Sequence, residues 1–258
     1  MELKKDQWLV SYPDDGNAVC FEMEDTSFWY QHRNQCILNA IQYGGFDRDF
    51  HDIGGGNGIT ASILQQNGYQ VTLVEPYAEG IGNAQKRGIR RTIQSTLENF
   101  QPEEPTPGVG FFDVMEHMED DEDFLRHIHR IVKPGGKIIL SVPAFQDLWS
   151  DNDVQLGHFR RYKLKQIDQL LVRSGFRPIY GTYFFSLVWL PMWLLRVLPN
   201  RFGVQRKNTP KKKRSEHMAT SPYLSKMLRR MLSWEIKMIR RGWKIPFGTS
   251  CLVIAQKE

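Results

Sequence analysis

The stretch Gly54-Gly55-Gly56-Asn57-Gly58 limits this chain more than any other. It follows an apolar run at 50–53 and precedes a segment of helical period at 59–67. Glycines at such a junction let the chain turn sharply and let a ligand approach the backbone at a helix N-terminus. Spacing separates the candidate ligands. A nicotinamide or flavin fingerprint needs G-x-G-x-x-G, but position 59 is Ile. A phosphate-binding P-loop closes on G-K-[ST], and no lysine stands here. G-x-G-x-G remains, as Gly54, Gly56 and Gly58. Asp52 precedes it, and Glu75, at the end of the next apolar run, is placed to accept hydrogen bonds from ribose hydroxyls. A glycine-rich turn with an incidental acid is the alternative reading of these residues alone.

Short apolar runs at 50–53, 71–74, 91–94, 109–114 and 137–142 alternate with helical segments at 59–67, 78–87 and 121–132. Such alternation means βαβ units and a parallel sheet. A helix at 164–174 and a strand at 176–185 follow, and 250–255 reads as a last strand. Four sections result: an N-terminal helical entry at 1–48, an α/β core at 49–186, a basic and apolar helical insert at 187–247, and the closing strand at 248–258. In the insert, Ser221-Pro222 is a helix start. Behind it Leu224, Met227, Leu228, Met231, Leu232, Ile236, Ile239 and Trp243 trace an apolar stripe expected to be one face.

With 258 residues and a hydrophobic content of 41%, the chain can bury a real core. Three scattered cysteines without a CxxC argue against a disulfide framework or a structural zinc site. The first residues lack the apolar core of a signal peptide, and no apolar run reaches the roughly 20 residues that span a bilayer. The expected location is cytoplasmic. The formal net charge of +5 hides an asymmetry: residues 196–244 hold fifteen Lys/Arg and two acids, Glu216 and Glu235. A basic stretch next to the apolar segment 184–198 suits the inner face of a membrane, and the same residues suit a lid or a homodimer surface. Residues 206–221 read as a basic loop.

Several of these stretches carry a resemblance. HDIGGGNG is similar to the first motif of the class I S-adenosylmethionine-dependent methyltransferases, and VTLVEP to their second. FFDVMEHMEDDEDFLRHIHRIVKPGGKIILSVPA is similar to their run through the fourth and fifth strands, as found in the small-molecule group called type 11. LWSDNDVQLGHFRRYKLKQIDQLLVRSGF resembles a bacterial subgroup with a GHxRRY segment. The likeness covers 28–185 and the last strand. It implies a doubly wound, mostly parallel seven-stranded Rossmann-like sheet with a helical insert before the last strand. It also implies S-adenosylmethionine as cofactor, with S-adenosylhomocysteine as product. On it, Asp52, Gly54, Gly55, Gly56, Gly58, Glu75 and Pro76 bind the cofactor. Ser95, Thr96 and Leu97 meet adenine, although the Asp often found there is missing. Asp113 lies near the methionine portion, and Arg33 pairs with the cofactor carboxylate.

The donor methyl of a sulfonium is already activated, so alignment matters more than a fixed catalytic triad. A base is needed only when the acceptor must lose a proton. His158 is the candidate base, with Asp153 orienting it or capping a helix, and His117 either meets the acceptor or supports its loop. Trp29, Tyr30, Arg160, Arg161 and Tyr162 are the candidate substrate contacts; a purely structural turn at 158–162 is the competing reading. No grouping has metal-ligand spacing, so no metal is expected. The resulting expectation is an O-methyltransferase for a small-molecule or lipid-like acceptor. A cofactor-binding regulatory or scaffold protein is the alternative, and a nucleic-acid methyltransferase is disfavoured because no base-recognition motif follows the fourth strand.

Overall fold

The computed structural model describes residues 20–21, 23–194 and 222–258. The expected loop at 206–221 lies outside them, as do the N-cap Ser221 and the end of the apolar segment 184–198. In chain order the elements are α1 (Phe28–Gly44), β1 (Asp49–Ile53), α2 (Ile59–Gln66), β2 (Gln70–Glu75), α3 (Ala78–Lys86), β3 (Arg91–Gln94) and β4 (Thr106–Phe112). After a 3-10 turn (Met115–His117) come α4 (Asp121–Ile131), β5 (Val132–Pro143), α5 (Asp151–Leu156), α6 (Leu164–Arg173) and β6 (Phe176–Phe184). The described part closes with α7 (Ser186–Met192), α8 (Pro222–Arg240) and β7 (Ser250–Lys257).

The seven strands form one sheet in the order β3-β2-β1-β4-β5-β7-β6. The first five strands in sequence pair in parallel, while β7 runs antiparallel between β5 and β6. Because successive strand residues point to opposite faces, each central strand feeds two cores. In β5, Ile138 and Leu140 join Phe124, Leu125 and Ile167 beneath α4 and α6. Ile139 between them joins Ile37, Ile41, Leu64 and Leu232 on the other face. Helices thus cover both faces, as the strand and helix alternation requires. Strand order reverses between β1 and β4, and the crevice at the carboxyl ends of these strands is where such sheets take ligands.

Two expectations about local structure are corrected. The run at 109–114 does not stay a strand: β4 ends at Phe112, and Asp113 turns at φ 57°. The apolar stripe on α8 packs only in part: its Leu232, Ile236 and Ile239 lie against the core, and the helix is rotated so that a charged residue joins them. Leu232, Glu235 and Ile239 are buried, while Met227, Met231 and Trp243 are exposed. Glu235 explains the rotation. Its carboxylate reaches His32 Nε2 on α1 at 2.8 Å and accepts from the backbone N–H of Phe185 and Ser186 at 2.9 and 2.7 Å. The insert is therefore clamped onto α1 and the end of β6. Among the described residues, no helix is long and apolar enough to cross a membrane.

Candidate active site

The glycine loop is set by backbone geometry. Gly54 and Gly56 sit at φ 68° and 53°, where a side chain is strained. A Cβ on Gly54 would also press on Val114 at 2.8 Å. Glu75, 4% exposed at the end of β2, accepts from Gly56 N at 3.0 Å and from Tyr77 N at 3.2 Å. The loop is thereby tied to the acid predicted to read a ribose. Burial pushes the Glu75 carboxyl up to about 7, against the pull of those two backbone donors. Burial also lifts Asp52 to about 7, opposed by Arg33 and reinforced by Glu75. Asp52 Oδ2 is buried without a hydrogen-bond partner and faces Gly55. A glycine cradle with under-satisfied acids fits a polar, hydroxyl-bearing ligand. Over the loop lies the entry segment, where Glu24 accepts from Asn57 and pairs with Arg87 at 2.9 Å. Pro76 follows Glu75, and Ser95 N bonds the Glu75 carbonyl at 3.2 Å, which brings Ser95, Thr96 and Leu97 to the same crevice.

Arg33, expected to pair with a cofactor carboxylate, sits in a buried network: Nε donates to Asp113 Oδ2 at 2.6 Å and Nη2 to the Phe112 carbonyl at 3.0 Å. Nη1 donates to Asn34 and Thr60. Arg33 therefore positions Asp113, whose other oxygen accepts from Ser141 Oγ at 3.1 Å. Trp29 stacks on Phe185 with centroids 5.3 Å apart, and Tyr30 meets Trp29 edge-on.

The loops after β4 and β5 converge. Phe159 N bonds the Glu116 carbonyl at 2.8 Å, and the His117 and His158 rings meet edge-to-face at 4.9 Å. Both roles foreseen for Asp153 occur together. Its Oδ2 accepts from Ser150 N at 2.9 Å, capping α5, and its Oδ1 binds His158 Nδ1 at 2.9 Å. Burial alone would raise Asp153, but His158 and Arg161 outweigh it and hold the carboxyl at about 2. His117 is pushed down to about 3 by burial and then by His158, so its ring is neutral at ordinary pH. Of the expected substrate contacts, Arg161 and Tyr162 are both buried among protein partners. Arg161 is buried against both Asp153 oxygens, at 2.7 and 3.1 Å, and Tyr162 is buried with its hydroxyl 3.0 Å from Asp121. Arg160 stays partly exposed while pairing with Asp121 at 2.9 Å.

Sequence reasoning missed Glu116, which is buried beside His117, its acidity suppressed by burial and by Asp113. Its place next to His117 in VMEHM was the available signal. The expectation that no metal-ligand grouping exists is also revised. Ligand atoms of Glu116, His117 and His158 lie within 4.8 Å of one another, as do those of His32, Cys36 and Glu235.

Residues 47–180 match the family model described as a methyltransferase domain. A probable S-adenosylmethionine-dependent methyltransferase of Mycolicibacterium smegmatis is 22% identical over 168 residues, 64% of this chain and 65% of that protein. The ubiquinone biosynthesis O-methyltransferase of Yersinia pestis is 32% identical over 121 residues, 43% of this chain and 50% of that one. The chain thus spans between half and two thirds of the length of these curated relatives. A phosphoethanolamine N-methyltransferase 2 of Haemonchus contortus, solved with S-adenosyl-L-methionine, superposes with a TM-score of 0.59 at 16% identity. That alignment covers 96% of this chain and 58% of that one, and its likeness is one of fold. The matched domain spans more than half the chain, so the protein belongs to the methyltransferase-domain family, enzymes whose methyl donor is S-adenosylmethionine.

Proposed function

We propose that this chain methylates a hydroxyl of a small, lipid-like acceptor, using S-adenosylmethionine. The observation that carries the reading is the junction of two constellations at one end of the sheet. Glu75 and the glycine loop form a site for a ribose-bearing cofactor, and Glu116, His117 and His158 converge on the neighbouring loops. When bound, the cofactor supplies an activated methyl on a sulfonium. Glu75 accepts the ribose hydroxyls, while Asp113, held by Arg33 and Ser141, borders the methionine end. An acceptor hydroxyl must lose a proton, and the buried cluster of Glu116, His117 and His158 is where it does so. An amine acceptor in its neutral form would not call for such a cluster. The likeness to a ubiquinone biosynthesis O-methyltransferase supports the same choice. Incubating the protein with methyl-labelled cofactor and a cell extract is expected to label a small organic product with an O–CH3 group, identified by mass and by stability of the ether. Label found only on amines, or on nucleic acid, would overturn it.

The exposed face of the insert supports the lipid-like half of the reading. Met227, Met231, Trp234, Trp243 and Phe247 stand exposed among Arg230, Lys237, Arg240, Arg241 and Lys244. An apolar face ringed by cations suits an anionic membrane surface, where each basic residue contributes about 1 kcal/mol. The protein is expected to sediment with anionic vesicles at low salt and to leave them at high salt. Reversing Arg230, Arg240 and Lys244 to glutamate is expected to abolish the binding. Equal partition onto neutral vesicles, or none onto either kind, would remove the membrane from the proposal.

A further inference from the structure

We propose that Glu116, His117 and His158 bind one divalent transition-metal ion, with zinc(II) the best match to two imidazoles and a carboxylate. Each residue offers one ligand atom, and the three atoms lie within 4.8 Å of one another. Tetrahedral donors at about 2.0–2.2 Å from an ion stand roughly 3.4 Å apart, so binding would draw these three together by about an ångström through side-chain rotation. The independent sign of a ligand is Glu116 itself. It is 1% exposed, and its Oε2 has no hydrogen-bond partner. Buried carboxylate oxygens are ordinarily paired, and an ion at the cluster supplies what this one lacks.

The surroundings are built for the same purpose. His158 Nδ1 faces Asp153 Oδ1 at 2.9 Å, and Asp153, fully buried, is itself held by Arg161 and Ser150. A carboxylate behind an imidazole fixes its tautomer and orientation, leaving Nε2 as the electron-pair donor. The Phe159–Glu116 backbone bond holds the two loops in register. By contrast, the His32, Cys36 and Glu235 group is a structural clasp, since both Glu235 oxygens already take donors from His32, Phe185 and Ser186. Three protein ligands leave an open position on the ion. The consequence for catalysis rests on the O-methylation reading: a hydroxyl entering that position gives up its proton to solvent more readily. Ion binding as such does not rest on it.

The test uses the untagged full chain, stripped with chelator and titrated with Zn2+ by calorimetry and with Co2+ by visible absorption. The expected result is one equivalent of Zn2+ and visible d–d bands for Co2+. Glu116→Gln and His117→Gln are each expected to weaken binding by about 100-fold or more while melting near wild type. His158→Gln serves as the third probe should either of them melt early. A folded wild type that binds no ion, or binding that persists unchanged in the folded variants, would overturn the proposal. Zinc bound by a chain that transfers no methyl to any hydroxyl would sustain the ion site and sink the O-methylation reading instead.

Discussion

Glu235→Ala is expected to lower the melting temperature by roughly 6–20 °C, the equivalent of losing about 3–5 kcal/mol at a buried ionic site. The carboxylate is fully buried and gathers four donors: His32, the backbone N–H groups of Phe185 and Ser186, and Ser186 Oγ at 2.5 Å. Burial alone would raise its pKa, but these partners, His32 and Ser186 first, outweigh that and hold the carboxyl below its ordinary value. Alanine leaves two buried backbone donors and an imidazole without their acceptor, each a desolvation penalty. It also releases Phe185, a non-glycine residue at φ 59°, from the contact that holds it in the left-handed region. Circular dichroism melts of wild type, Glu235→Ala and Glu235→Gln decide the matter. Glutamine keeps size and an acceptor oxygen, so it is expected to fall between the two. A shift below about 2 °C for alanine would show that α8 is held by apolar packing alone.

Glu75→Ala is expected to weaken binding of S-adenosylmethionine or S-adenosylhomocysteine by about 100-fold or more, since hydrogen bonds to a charged group contribute about 1.5–3 kcal/mol each. The same carboxyl predicts a pH dependence. Burial lifts it to about 7, so near pH 6 it is largely protonated and a weaker acceptor. Wild-type affinity is therefore expected to rise between pH 6 and pH 8, and the alanine variant to keep only the smaller part of that rise contributed by Asp52. Stability of the free chain runs the other way. A folded-state value above the unfolded one favours the folded chain when protonated. That advantage is full below about pH 4 and is lost as pH climbs through about 7. Calorimetry at pH 6 and pH 8 measures the affinity, and melts of wild type against Glu75→Gln measure the stability. Equal affinity in the alanine variant would take Glu75 out of the ribose role.

The elements that sequence located well are those written as continuous runs. β1, β2 and β3 are bounded by a glycine loop, by Glu75 and by the polar residues after Gln94, and each lies within a residue of its expected ends. The strand before the last one and the antiparallel closing strand were also legible, β7 as a continuous apolar run and β6 by its Tyr180–Phe184 half. Sequence failed where a polar residue does a core residue's work. On α8 hydropathy found Leu232, Ile236 and Ile239 of the packed face but missed Glu235 between them and added Met227, Met231 and Trp243, which are exposed. A lone acid among so many bases was the sign that it has a partner, but that partner, His32, lies 203 residues away. Arg33 and Asp113 are likewise 80 residues apart, and no periodicity encodes such a pairing. At α5 the signal was local. Ser150 and Asp153 form a capping box ahead of a helix only six residues long, too short for an apolar stripe to announce it.

The antiparallel β7 sits between β5 and β6, so neither neighbour completes its hydrogen bonding until the insert has been made. On a ribosome adding about 5–20 residues per second, the roughly 65 residues between β6 and β7 take about 3–13 s to emerge. During that interval β5 is an open edge, and β6, ending in the apolar Tyr183-Phe184, has no strand to join. Unpaired apolar strands invite association with other chains. Yield of soluble protein is therefore expected to rise when translation is slowed or chaperones are supplied, which expression trials measure.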